Sequence, residues 1–198
     1  MRSTCICSPL PDLDAARRTL LAELREHALV IGEVTLSSGQ TAEYYVDAKR
    51  ALLRPPAYRA AGEVIAAEAV ERNAAAVGGM TMGADPLACA AIGSEAGQGL
   101  VAFFVRKERK EHGLQRWIEG PLLDRGTRCL VLEDVVTTGG STVRAIERIR
   151  QEGFVVAGVT SVVDRLAGGA EAIEQAAEAP YRPLVTIDEL YPDRPDRD

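Results

Sequence analysis

The chain has 198 residues, a formal net charge of -6, and 46% hydrophobic and 26% charged residues. This composition is ordinary for a globular chain, so we expect a buried core and one domain over residues 1–198. The acidic balance argues against a general nucleic-acid-binding surface, and we expect no nucleic-acid partner. The apolar stretches fall short of the ~20 residues that cross a membrane, and no secretory signal is visible, so we expect no membrane partner and a cytoplasmic location.

Four cysteines, Cys5, Cys7, Cys89 and Cys129, are too few and too unevenly spaced for a disulfide framework. We therefore expect reduced thiols. The Cys5-x-Cys7 pair is a conceivable metal site, but no second Cys or His pair lies at zinc-site spacing.

The first part of the chain predicts two helices separated by a hairpin. Apolar residues three to four positions apart predict a helix over residues 12–30, ending near Gly32. Two β-prone segments around the turn at 37–39 predict a hairpin over 33–47, and Pro55 and Pro56 begin a helix that runs to about Asn73. Residues 1–10 and 191–198 are predicted to be poorly ordered tails.

From Ala74 onward, short apolar runs alternate with helical segments. Strands are predicted at 75–77, 100–105, 128–132, 154–163 and 184–187, and helices at 85–95, 140–152 and 168–179. This alternation predicts an α/β fold with a mainly parallel sheet that helices cover on both faces. Ligands of such sheets bind beyond the carboxyl ends of the strands, so we expect the functional residues there.

Residues 128–142, RCLVLEDVVTTGGST, carry the most informative pattern. A strand delivers Glu133 and Asp134 to its end, and a turn rich in glycine and hydroxyl groups precedes the next helix. Glycines let backbone N–H groups approach a phosphate, and a helix N-terminus favours an anion. Carboxylates repel phosphate, so the acidic pair indicates a ligand that also carries hydroxyls, such as ribose, or a bound Mg²⁺. A ribose 5-phosphate satisfies both halves of the pattern, and simple helix capping is the plainer alternative.

A second pattern is a basic segment in this acidic chain. Positive charge is concentrated at Arg106, Lys107, Arg109, Lys110 and His112. The segment is long enough to close over a polyphosphate, and ordinary solvated surface is the alternative interpretation.

These motifs resemble a known family. The pattern EDVVTTGGS at 133–141 resembles the phosphoribosyl pyrophosphate (PRPP) motif of type I phosphoribosyltransferases. The segment FVRKERKEHG at 104–113, and the hairpin VTLSSG at 34–39 with the tyrosines that follow it, are similar to those of orotate phosphoribosyltransferases. The resemblance spans about residues 20–190 in the family's order.

The resemblance implies the type I phosphoribosyltransferase fold, with an N-terminal helix and hairpin forming a hood over the base site. It implies transfer of the phosphoribosyl group of PRPP to orotate, giving orotidine 5′-phosphate and pyrophosphate in pyrimidine (UMP) biosynthesis, with Mg²⁺ as cofactor. It also implies a homodimer in which the loop 106–120 is shared across the interface.

The resemblance further implies roles for individual residues. The catalytic residues would be Lys110, His112 and Asp134. The PRPP-binding residues would be Arg106, Lys107, Lys110, His112, Glu133, Asp134, Val135, Val136, Thr137, Thr138, Gly139, Gly140 and Ser141. The orotate-binding residues would be Ser37, Tyr44, Tyr45, Thr137 and Arg165, with Arg165 pairing with the orotate carboxylate. No side chain is expected to ligate Mg²⁺ directly, and Asp134 would reach it through water.

Two positions depart from the family pattern. Ser37 stands where some members carry a basic residue, and Gly83 stands where some bacterial members place a lysine against the pyrophosphate. Alternatives remain for several residues, since Arg165 could form a surface salt bridge with Asp164, and the tyrosines could simply pack the hairpin. For the whole chain, the alternatives are a phosphoribosyltransferase for another base and a non-catalytic, PRPP-sensing regulator of the same fold.

Overall fold

The computed structural model describes residues 12–35, 41–109 and 116–197. In chain order the elements are α1 (Leu13–His27), β1 (Leu29–Thr35), β2 (Thr41–Val46), α2 (Lys49–Leu52), α3 (Pro55–Glu71), β3 (Ala76–Met80), α4 (Asp85–Gly93), β4 (Val101–Val105), β5 (Ile118–Glu119), β6 (Arg128–Val136), α5 (Gly140–Gln151), β7 (Val155–Asp164), α6 (Gly169–Ala177), β8 (Tyr181–Thr186) and α7 (Ile187–Leu190).

The central sheet has the strand order β5-β4-β3-β6-β7-β8. Its strands are parallel except for β5, which runs antiparallel to β4. The chain proceeds from β3 outward to β4 and then returns to the other side of β3 with β6. After β3 the chain adds strands on one side of the sheet, and after β6 it adds them on the other side. The connections that follow β3 and β6 therefore diverge and leave a crevice at the carboxyl ends of these two strands, which is where α/β proteins bind ligands.

Helices cover both faces of the sheet, as the sequence predicts. Successive residues of β6 point to opposite faces, so Leu130 and Leu132 join one buried cluster while Cys129 and Val131 join the other. Helices α1, α3 and α4 supply the first cluster, and α5 and α6 supply the second. Because both faces are buried, the strands need continuous apolar sequence, which explains the runs seen in the sequence.

The N-terminal helix is shorter than predicted, and the hairpin begins earlier. Helix α1 ends at His27, and residues from Leu29 to Ile31 pair with β2, with Leu29 opposite Val46. These residues fit the helical spacing, but Val30 and Ile31 are β-branched and gain a cross-strand partner in the hairpin.

Other differences arise at short elements and edges. Strand β6 continues to Val136, so the acidic pair lies within the strand and not after it. Strand β8 begins at Tyr181 and includes Pro183, which is tolerated because β8 is an edge strand. The sequence predicts neither α2 nor β5, because four-residue and two-residue elements have no measurable periodicity.

Residues 191–197 make specific contacts where the sequence predicts a frayed tail. The ring of Tyr191 packs edge-on against Tyr44 at a centroid distance of 5.4 Å, and Tyr44 Oη donates to Asp196 Oδ2 at 3.0 Å. Arg194 bonds to Asp188, and its Nε lies 3.0 Å from Asp196 Oδ1. The polar composition of the segment predicts a frayed end, but one aromatic contact and a network of ion pairs hold the segment in place.

Of the cysteines in the described ranges, Cys129 is buried and Cys89 is exposed, and both are free thiols. Cys5 and Cys7 lie outside the described residues. None of the helices described is both long and apolar enough to cross a membrane.

The close packing of β3 against β6 gives a test of the fold. A Cβ at Gly79 would lie 2.0 Å from the carbonyl oxygen of Leu132, whereas a Cβ at Gly93 would meet nothing within 4 Å. We expect Gly79→Ala to lower the free energy of unfolding by about 1–3 kcal/mol or more, because the two strands must move apart. Gly93→Ala is the matched control and should change it by less than about 0.5 kcal/mol. Urea denaturation measures both, and equal effects would contradict the packing of β3 on β6.

Candidate active site

Two buried carboxylates lie side by side near the end of β6, pointing to opposite faces of the sheet. Glu133 and Asp134 are 5% and 8% exposed, respectively. Glu133 Oε2 accepts hydrogen bonds from Ser141 Oγ at 2.7 Å and Thr142 Oγ1 at 3.1 Å. Burial, together with the neighbouring Asp134 charge, raises the pKa of Glu133 to about 7, against the opposite effect of the two hydroxyls. Glu133 is therefore harder to ionise than an exposed glutamate.

Asp134 is paired with a lysine that the sequence analysis does not identify. Lys49 Nζ lies 2.7 Å from Asp134 Oδ2 and 3.5 Å from Asp47 Oδ1. The other oxygen of Asp134 accepts from the Val135 backbone N–H at 2.9 Å. Burial acts to lower the pKa of Lys49, but the attraction of Asp134 and Asp47 is stronger. The pKa of Lys49 is therefore raised. No sequence pattern reveals this pair, because 84 residues separate its members and only the fold joins them.

The turn between β6 and α5 has the geometry of an anion site. Gly139 has φ 77°, a left-handed conformation that favours glycine, and a Cβ there would lie 2.9 Å from the carbonyl oxygen of Gly169. No side chain caps the N-terminus of α5, so its first N–H groups have no side-chain acceptor. Thr137 and Thr138 are exposed beside them. Backbone donors at a helix N-terminus bind phosphate readily.

Three members of the predicted PRPP set have side chains that are already engaged or turned away from this turn. Ser141 donates its hydroxyl proton to Glu133. The side chain of Val136 is buried in the core, and its carbonyl accepts from the Arg165 backbone N–H at 2.9 Å. Val135 is half-buried beside the apolar cluster of α1, α3 and α4. We therefore expect the two valines to offer only backbone atoms to a ligand.

The loop between β3 and α4 presses against the acidic pair. A Cβ at Gly83 would lie 2.5 Å from Asp134 Oδ1, so a side chain at this position would require the carboxylate to shift. Asp85 Oδ2 accepts from Thr81 Oγ1 at 2.6 Å, which fastens the loop to the first turn of α4. Its other oxygen is buried without a hydrogen-bond partner.

The hairpin places Tyr44 against Arg165, at the end of the neighbouring strand β7. The Arg165 guanidinium lies 5.1 Å from the centre of the Tyr44 ring, a cation-π distance. Its Nε is buried without a hydrogen-bond partner. Asp164 Oδ1 accepts from the Leu166 backbone N–H at 2.8 Å, an arrangement that differs from a surface ion pair with Arg165. Tyr44 is buried and Tyr45 is exposed, and Ser37 lies outside the described residues.

The basic segment is described up to residue 109 and again from residue 116, so Lys110 and His112 lie outside the described residues. Arg106 Nη1 lies 3.0 Å from Glu119 Oε1. Arg106 and Lys107 line a cavity of about 480 Å³ at the carboxyl end of β4, together with Thr81, Phe104, Glu108 and Glu119. The start of the segment thus borders the loop that follows β3, which is one strand away from the acidic pair.

Arg148 joins helix α5 to both flanks of the basic segment. Its guanidinium donates to the carbonyl oxygens of Arg106 at 2.5 Å and Lys107 at 2.9 Å. The same group lies 4.2 Å from the centre of the Trp117 ring, and the Trp117 backbone N–H donates to Glu152 at 3.1 Å. Sequence reasoning misses Arg148 because one arginine on an amphipathic helix looks like ordinary solvated surface. Its contacts hold Arg106, Lys107 and Trp117 next to helix α5, which begins at the candidate anion site.

Trp117 is the only tryptophan of the chain, so its fluorescence reports on this anchor. We expect Arg148→Met to shift the emission of Trp117, because the cation over its ring is lost and the flanks are released. The exposed Arg144 lies on the same helix, and Arg144→Met is the matched control that should leave the emission unchanged. Identical spectra for wild type and Arg148→Met would contradict the anchor.

The raised pKa of Glu133 predicts a pH dependence of stability. A carboxyl whose folded pKa exceeds its unfolded value of 4.5 stabilises the fold below that value and loses this contribution as pH rises through about 7. Glu133→Gln keeps an acceptor and cannot ionise. We expect the free energy of unfolding of wild type relative to Glu133→Gln to fall between about pH 5 and 8, by on the order of 2 kcal/mol. Urea denaturation at both pH values measures this, and parallel changes in the two proteins would contradict it.

No family model matches the chain. Known proteins with similar sequences and structures nevertheless agree with one another in function. An orotate phosphoribosyltransferase of Streptomyces avermitilis is 47% identical over 180 residues, which cover 90% of this chain and 98% of the relative. A crystal structure of Mycobacterium tuberculosis orotate phosphoribosyltransferase with Fe(III) dicitrate is 41% identical, covers 89% of this chain and 99% of that one, and has a TM-score of 0.78. A structure of the same enzyme with PRPP is 38% identical, covers 88% and 98%, and has a TM-score of 0.75. The fold is therefore that of the type I phosphoribosyltransferases, and the chain belongs to the orotate phosphoribosyltransferase family.

Proposed function

We propose that this chain is an orotate phosphoribosyltransferase, a pentosyltransferase that converts orotate and PRPP to orotidine 5′-phosphate and pyrophosphate in pyrimidine biosynthesis. The main structural support is one juxtaposition. Glu133 and Asp134 lie directly before the uncapped N-terminus of α5, and Arg165 lies at the end of the next strand. This arrangement offers acceptors for hydroxyls, donors for a phosphate and a cation for a carboxylate within one crevice.

The sugar phosphate would be bound by the turn and the acidic pair. The backbone N–H groups of Thr138, Gly139, Gly140 and Ser141, with the hydroxyls of Thr137 and Thr138, are suited to the 5-phosphate. Asp134 and Glu133 are suited to interact with the ribose hydroxyls, because both carboxyl groups carry acceptor oxygens and an ionised carboxylate is the stronger acceptor.

The base would lie between the hairpin and the end of β7. Arg165 presents a planar fork of donors that matches a carboxylate, and Tyr44 under its guanidinium limits its motion. In this proposal Ser37, Tyr45 and Thr137 complete the pocket around orotate. A carboxylate partner would also satisfy the arginine, whose Nε is buried without a hydrogen-bond partner.

The reaction replaces the bond from the sugar C1 to pyrophosphate with a bond from C1 to a ring nitrogen of orotate. Negative charge grows on the departing pyrophosphate as the bond breaks, so fixed cations stabilise the transition state more than the ground state. Arg106, Lys107, Lys110 and His112 are the proposed cations. Closure of the segment 106–120 would also exclude water, which would otherwise hydrolyse the activated sugar.

We propose that Mg²⁺ reaches the site bound to PRPP. Across residues 12–35, 41–109 and 116–197, no group of three or more His, Cys, Asp and Glu side chains is arranged to hold a metal ion. Mg²⁺ commonly keeps several waters and binds through substrate phosphates with one or two carboxylates. We propose that Asp134 reaches it through water, and that the bound ion neutralises charge on the pyrophosphate.

We also propose a cytoplasmic homodimer that shares the loop 106–120, with Lys110 and His112 reaching across the interface. Its partners would be orotate and PRPP, without nucleic acid or membrane. The basic segment is suited to act on the pyrophosphate, because its first residues lie beside the crevice and are held by Arg148.

An orotate absorbance assay with PRPP and Mg²⁺, run beside adenine, hypoxanthine and uracil, tests the function. We expect consumption of orotate alone, and its loss when PRPP or Mg²⁺ is omitted. Turnover of another base would show that orotate is not the substrate, while the proposed phosphoribosyl transfer would stand. Tight PRPP binding without turnover of any base would favour a regulator of the same fold.

Two substitutions test the roles of site residues. Asp134→Asn should weaken PRPP binding by roughly tenfold, the loss expected when a charge-assisted hydrogen bond becomes neutral. Calorimetric titration measures this loss, and the exposed Asp124→Asn is the matched control.

Lys110→Ala should lower kcat far more than it raises KM, because its charge acts mainly on the departing pyrophosphate. An unchanged kcat in Lys110→Ala would show that Lys110 is not a catalytic residue.

A further inference from the structure

We infer that Lys49 is a positioning residue for Asp134, orienting this carboxylate toward the sugar substrate. The inference goes beyond the roles given above and rests on the proposed function. Its geometric basis is the 2.7 Å contact between Lys49 Nζ and Asp134 Oδ2.

The surroundings of Asp134 confine its carboxylate from several sides. Oδ1 accepts from the Val135 backbone N–H, and the backbone of Gly83 approaches it so closely that a Cβ there would lie 2.5 Å away. Lys49 binds the remaining oxygen. A carboxylate held in this way presents its free lone pairs in a fixed direction, which reduces the ordering required when a ribose hydroxyl binds.

Helix α2 is a rigid support for Lys49. Ala48, which precedes the helix, and Ala51 and Leu52 within it are at most 1% exposed. The backbone of Lys49 is therefore fixed in the core, while its side chain remains 41% exposed and extends across to β6. The sequence between the hairpin and Pro55 thus serves to deliver an ammonium group to the crevice.

The charge balance shows why this ammonium matters. Glu133 and Asp134 are adjacent, and each ionised carboxylate disfavours ionisation of the other. The titratable groups around them are Lys49 with Asp47 and Tyr45 on one side, and Tyr181 with Asp164 on the other. Within this set Lys49 supplies the positive charge, so its removal should leave the acidic pair holding a proton to higher pH.

The experiment compares Lys49→Met, Lys49→Arg and Arg50→Met. Met retains most of the aliphatic length without the charge, Arg restores the charge, and Arg50 is an exposed basic neighbour on the same helix. Three quantities are measured: the Kd of PRPP by calorimetry, KM and kcat for both substrates, and the pH profile of kcat/KM from about pH 6 to 9.

We expect Lys49→Met to weaken PRPP binding roughly tenfold, as for the loss of a charge-assisted hydrogen bond, with little change in the KM for orotate. The acidic limb of the pH profile should move to higher pH. Lys49→Arg should recover both properties, and Arg50→Met should behave as wild type.

Unchanged PRPP affinity and pH profile in Lys49→Met would overturn the inference. Equal increases in both KM values with a lower Tm and no shift of the pH profile would also overturn it, because they indicate a structural role. If wild type binds PRPP but turns over no base, the proposed function fails, and the calorimetric comparison of Lys49→Met with wild type still decides the role of Lys49.

Discussion

The rest of the site depends on one constraint, which is the burial of two adjacent carboxylates in the central strand. Since neighbouring residues of a strand point to opposite faces, Glu133 and Asp134 cannot share donors, and each must be satisfied by a different layer of the fold. Helix α5 supplies hydroxyls to Glu133, and the short helix α2 supplies Lys49 to Asp134. An acidic pair that would be costly to bury alone therefore joins the helices of the two faces around the same crevice.

Helix α5 extends this connection to the basic segment. Its first turn forms one wall of the proposed phosphate site. Arg148 in the helix and Glu152 directly after it bind the residues on either side of the segment. Helix α5 would therefore position both the phosphate bound at its start and the pyrophosphate bound by the basic segment. Positioning of this kind matters for group transfer, because small displacements of reacting groups reduce the rate greatly.

The parts of the molecule that the sequence predicts are those in which the relevant residues are close together in the chain. The alternation of apolar runs and helices predicts the sheet and its two helical layers, and the strand, acidic pair and glycine turn of residues 128–142 form a continuous motif. The C-terminal part of the predicted first helix is wrong because pairing with β2 outweighs helical spacing. Lys49 and Arg148 remain invisible to sequence reasoning, since their partners lie in distant segments that only tertiary packing joins.

The segment that follows α7 has a practical consequence. Asp196 accepts a hydrogen bond from the hydroxyl of Tyr44, and Tyr44 lies under the guanidinium of Arg165, so two consecutive contacts lead from the end of the described chain to the proposed base pocket. Tyr191 strengthens this connection by packing on the same ring. A purification tag fused close to this end, or trimming by a carboxypeptidase, would therefore disturb the proposed base pocket. Recombinant versions intended for inhibitor screening should keep this end of the chain unaltered.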